Sequence, residues 1–165
     1  MKKISIEIKW TLIFAAMTLV WLVLEKLAGF HSAHIDKHHI VTNFIAIPAI
    51  AVYVFAFLDK RKKYYGGTMT YMQGFLCGVI ITLFVTILSP LTQSIVSYVI
   101  TPEYFPNAIK HAVSTGAMTQ QDAESYFNNS NYVMMGLMGA PVMGLITTAV
   151  VAIFTRKKGE PRNAA

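Results

Sequence analysis

Long apolar runs alternate along the chain with short polar breaks. Tyr71 to Ile100 is thirty residues without a charged side chain, and Ile40 to Leu58, Asn131 to Thr155 and the shorter Trp10 to Leu24 repeat the pattern. Helices in soluble cores average about 11 or 12 residues, whereas roughly 20 residues cross the ~30 Å hydrocarbon layer of a bilayer. The runs therefore predict four membrane-spanning helices, over about 6–28, 40–58, 71–100 and 131–155. For the second, its Leu, Ile, Phe and Val residues give about −3 to −7 kcal/mol of insertion free energy. The third is longer than a minimal span. Pro90 inside it predicts a kink or tilt, and Pro48 and Pro141 predict kinks in the second and fourth.

The polar breaks carry their own signals. Glu25 and Lys26 follow the first run where a cleaved leader would need a small-residue site, so the first run reads as an uncleaved helix. Gly66 and Gly67 turn the chain after the basic stretch Asp59 to Lys63. The longest break, 102–128, reads as an amphipathic helical hairpin. Thr101 and Pro102 look like the N-cap and first residue of its first helix, with Phe105, Ile109, Ala112 and Val113 on one face. Gly116 looks like its stop. Thr119 caps the second helix with Asp122, and Ala123, Tyr126 and Phe127 form its apolar face.

Composition agrees with a membrane protein: 165 residues, 55% hydrophobic and 13% charged, with a net charge of +6. The positive charge gathers at helix ends rather than along one face, which argues against nucleic acid as a partner. Eleven cations (Lys2, Lys3, Lys9, Lys60 to Lys63, Arg156, Lys157, Lys158 and Arg162) fall on one side of the predicted spans and three (Lys26, Lys37 and Lys110) on the other. That asymmetry predicts both termini in the cytoplasm and the hairpin outside. The lone cysteine, Cys77, excludes an intrachain disulfide and a CxxC site.

Candidate chemistry is sparse. His31, His34, His38 and His39, with Asp36 among them, form the one constellation with metal-ligating potential. At helical spacing His31, His34 and His38 share a face, and three imidazoles with a carboxylate suit Zn²⁺ or Cu²⁺. The competing reading is a polar turn at the membrane interface. Glu25 is the one acidic residue placed to enter the membrane, and such residues are functional suspects. Its position near the outer end, next to Lys26, favours an interfacial residue paired with a loop cation over a proton-coupling site. Gly74 and Gly78, then Gly136, Ala140 and Gly144, repeat small residues every four positions and predict close helix packing, within the chain or between copies. Thr82, Thr86, Ser89 and Gln93 share a polar face. It serves either a wet groove or local hydrogen bonds, including one to the carbonyl that Pro90 frees. No HExxH motif, nucleotide-binding glycine loop or charged pair inside helices two to four is present.

The junction Tyr65-Gly66-Gly67-Thr68-Met69-Thr70-Tyr71-Met72-Gln73-Gly74-Phe75, the long third helix and Ile100-Thr101-Pro102-Glu103-Tyr104 together resemble the small four-helix membrane proteins of domain-of-unknown-function family 4199. Thr101 stands where the resemblance places an aspartate. The likeness implies a bacterial inner-membrane protein and transfers no catalytic residue.

The sequence thus predicts an all-α, four-helix integral membrane bundle in a single domain, without a resident cofactor or an enzymatic reaction. It would act in the bilayer through association with a second copy or a membrane-protein partner. A small transporter or metal-handling protein using the outer histidines is the alternative.

Overall fold

A computed structural model describes residues 4–157, and within them the chain is helical apart from turns and one isolated bridge. The elements are α1 (Ser5–Leu27), α2 (Ile35–Val41), a 3-10 turn (Thr42–Ile45), α3 (Ala46–Lys63), α4 (Tyr71–Ile95), a π turn (Val96–Ile100), α5 (Tyr104–Ser114), α6 (Gln120–Tyr126) and α7 (Asn129–Thr155). Four stretches are long and apolar enough to cross a membrane: Ser5–Leu27, Ile35–Lys63, Tyr71–Ile100 and Asn129–Thr155. The second starts five residues earlier than its apolar run, because α2 carries the helix back through His39, His38 and Asp36.

The burial pattern is that of a bundle in lipid. Leu12, Val20, Ile47, Leu83, Ile87, Ile146 and Phe154 are exposed. With no hydrophobic drive between helices in hydrocarbon, close packing must hold them together. The tightest contact is α4 on α7. A Cβ at Gly78 would overlap Thr148 and come within 2.6 Å of the Phe57 ring, and one at Gly144 would meet the Thr82 side chain at 2.5 Å. At Gly74 it would touch Met69 at 3.2 Å and Ala152 at 3.5 Å, while Gly136 faces Ser89 more loosely at 3.7 Å. Around the Gly74–Gly78 contact gather Tyr53, Ala56, Phe57, Cys77, Ile81 and Val151.

Pro90 and Pro141 lie inside α4 and α7, and Pro48 near the start of α3, just after the 3-10 turn. Pro90 has no N–H for the Thr86 carbonyl, and the Ser89 hydroxyl donates to that oxygen instead at 2.8 Å. Thr86 and Thr92 likewise bond back to carbonyls of their own helix. Thr101 does not cap α5. Its N–H donates to the Val96 carbonyl at 2.8 Å and closes the π turn, so α5 begins at Tyr104, two residues later than expected. Thr119 does cap α6, accepting from the Asp122 N–H at 3.2 Å.

The end of the bundle that carries the basic residues is tied by charge and backbone. Glu7 and Lys60, both almost fully buried, pair at 2.8 Å, and Asp59 receives Lys9 at 2.8 Å, Lys63 at 2.9 Å and the Trp10 indole at 3.0 Å. Arg61 donates to the Thr155 carbonyl at 2.7 Å, and Met69 and Lys157 exchange both backbone hydrogen bonds. Lys2, Lys3, Lys158 and Arg162, which entered the charge asymmetry, lie outside the described residues.

Candidate functional site

The other end of the bundle is closed around Glu25. Two bonds at the end of α1, from Gly29 N–H to the Lys26 carbonyl and from Phe30 N–H to the Glu25 carbonyl (2.9 and 3.0 Å), form a Schellman motif. Gly29 takes the left-handed conformation that this stop requires, at φ 81°. The reversal sends the chain back over the last turn of α1, so His31 comes to rest against the side chain six residues before it.

Glu25 is 3% exposed and fully engaged. Its Oε1 accepts from the Trp21 indole at 2.5 Å, and its Oε2 lies 3.2 Å from His31 Nε2 and 3.4 Å from His38 Nε2. One atom from each of these three side chains falls within 4.8 Å of the others. Tyr104, at the start of α5, meets His38 Nδ1 at 3.3 Å and the Tyr132 hydroxyl of α7 at 3.2 Å. Asn107, one turn on, donates to the His31 carbonyl at 3.0 Å. Lys26 bonds the Ile100 carbonyl at 2.5 Å and pairs with Glu103 at 3.2 Å. α5 is thereby fastened across the cluster.

Burial pushes the Tyr104 phenol above its ordinary pKa, against the opposing hydrogen bond with Tyr132. The Glu103 carboxyl is held below its ordinary value, first by its own backbone N–H and then, against partial desolvation, by Lys26. A neutral Tyr104 hydroxyl can donate to His38 Nδ1 while His38 Nε2 faces the carboxylate, an arrangement that fixes both ring nitrogens. His31 is 2% exposed, and its Nδ1 has no hydrogen-bond partner among the described residues. His31 also lines a cavity of about 200 Å³ beside the cluster, shared with His38, Gln93, Ser97 and Tyr132. Buried polar atoms are rarely left unpaired, and a cavity of that size with several polar side chains in its wall has room for water or a small ligand. A second cavity, of about 180 Å³, shares the Gln93 and Tyr132 walls and reaches Thr18, Ser89 and Thr92 deeper in the bundle.

The histidines named by spacing separate. His31 and His38 converge, whereas His34, His39 and Asp36 are exposed, His34 near the Phe30 ring. Sharing a face takes one helix through all of them, but α2 begins only at Ile35, and a turn, not a helix, delivers His31. Glu25 takes the carboxylate position that spacing offered to Asp36. Its cationic-side partners are the two imidazoles, while Lys26 reaches Glu103 instead. Tyr104 and Tyr132 carried no individual signal. The signal that was present is Glu25-x₃-Gly29-x-His31: a glycine placed to end a helix between a buried acid and a histidine.

A family model described as "Protein of unknown function (DUF4199)" matches residues 9–157. The chain belongs to DUF4199. No curated protein and no solved structure matches it. The matched span of this DUF4199 member holds Glu25, His31, His38, Tyr104 and Tyr132, and it leaves out Glu7 of the opposite cluster.

Proposed function

We propose that this chain is a multi-pass protein of the bacterial inner membrane that binds one divalent transition-metal ion, Zn²⁺ by preference, between Glu25, His31 and His38. The reading makes it a binding protein rather than an enzyme. The charge asymmetry supports cytoplasmic termini and an extracytoplasmic site beneath the α5–α6 hairpin. The observation that carries the proposal is the convergence of one carboxylate oxygen and two imidazole nitrogens in a buried spot. Two histidines and a carboxylate with a fourth position open form a known Zn²⁺ donor set. For His38 Nε2 to ligate, its Nδ1 would carry the proton and donate to the Tyr104 hydroxyl, the outer-shell contact that orients a ligating imidazole.

Association with a second copy or a membrane partner has less to rest on. Gly74, Gly78 and Gly144, the core of the small-residue stripes, are already filled by side chains of the same chain.

Elemental analysis of the protein purified in detergent, followed by titration with Zn²⁺ and with Co²⁺ as an absorbing probe, tests the proposal. One ion per chain is expected. His31→Ala and His38→Ala should each lower affinity at least about tenfold, while His34→Ala leaves it unchanged. No bound ion in the native chain, or binding that survives loss of both His31 and His38, overturns it.

A further inference from the structure

The buried cluster is sealed on most sides. The Trp21 indole covers one carboxylate oxygen of Glu25, Asn107 pins the His31 backbone, and Lys26 ties the end of α1 to Ile100 and Glu103. Within the cluster itself, the Glu25 and His31 side chains are 2% and 3% exposed, whereas His38 remains 17% exposed. His38 also belongs to two cavities at once. One is the inner cavity it shares with His31. The other, of about 240 Å³, opens between α2 and α5 and is lined by Asp36, His39, His111 and Tyr104.

From this we infer that the outer cavity is an access vestibule, a transient divalent-cation site through which the ion reaches the buried cluster, with His38 as the residue that hands it inward. The inference rests on the metal reading above. Asp36 supplies the charge that attracts a hydrated cation, and the His39 and His111 imidazoles can displace some of its waters one at a time. None of the three belongs to the converging donor set. The vestibule therefore governs how fast an ion arrives and leaves rather than how tightly it is finally held. It also gives a use to Asp36 and His39, which lie outside the buried cluster.

Stopped-flow mixing of the detergent-solubilised full chain with Co²⁺, followed by absorbance, separates the two roles. In the triple variant Asp36→Asn/His39→Gln/His111→Gln, the association and dissociation rates should fall together by about tenfold, with stoichiometry and equilibrium affinity kept. The native association rate should also drop as salt rises, and the variant should lose most of that dependence. Unchanged rates overturn the vestibule and leave the metal site standing. A loss of stoichiometry would make the three residues ligands and overturn it too. Failure of the native chain to bind Co²⁺ or Zn²⁺ at all removes the metal reading itself.

Discussion

At the scale of single residues, the buried acids are the costly choices. Glu7 and Glu25 are 1% and 3% exposed on a helix apolar enough to cross a membrane, and each is answered by a different chemistry: a lysine for Glu7, two imidazoles and an indole for Glu25. A lysine answers an acid at any ordinary pH and does little else. Imidazoles answer it conditionally and can also hold a metal, which is why the two clusters read as fastening and site respectively. Removing one member of the fastening pair should be expensive. Lys60→Met strands the Glu7 carboxylate and should lower stability by about 3–5 kcal/mol, whereas Glu7→Leu with Lys60→Met should recover most of the loss. Unfolding by SDS titration measures both; equal losses in the single and double variants would assign the effect to packing instead.

At the scale of elements, α4 on α7 is the contact with least tolerance. Gly144 faces Thr82, whose hydroxyl is 2.8 Å from the Tyr53 hydroxyl of α3, so a side chain at 144 presses on three helices. Gly144→Val should cost about 1–3 kcal/mol by overpacking, read as a lower melting temperature in detergent, while Gly139→Ala, open on that side, should change little. The spans and this glycine spacing were legible in the sequence because a period of four and a charge-free run depend on local pattern alone. The start of the second span was less so, since histidines and an aspartate resemble a loop even when they continue a helix. The π turn was not legible at all: Thr101 after Ile100 and before Pro102 looks like a cap, and only the Val96 carbonyl decides otherwise. The Glu25 cluster lay furthest from reach, because its members come from α1, a turn and α2, and are brought together by the backbone sign of one glycine.

At the scale of the whole molecule, the end closed by α5 carries a pH dependence. Tyr104 has its pKa raised by burial, so the unfolded phenol, near 10, ionises before the folded one. Its contribution is intact below about 10 and is lost as pH rises through the folded value. Glu103 is shifted downward, so its contribution is present above the ordinary carboxylate value and lost as pH falls through the folded one. With the Lys26 and Glu103 side chains 39% and 44% exposed, that acid effect should stay under about 1 kcal/mol. Melting temperatures should therefore fall above pH ~10 and decline only gently toward pH 4, and Tyr104→Phe should lessen the alkaline loss. The basic end is fastened by backbone as well as by charge. There the Met69 and Lys157 backbones are paired, and Arg61 reaches the last carbonyl of α7. A bundle cinched by main chain at its root and latched by side chains at its mouth yields from the mouth first.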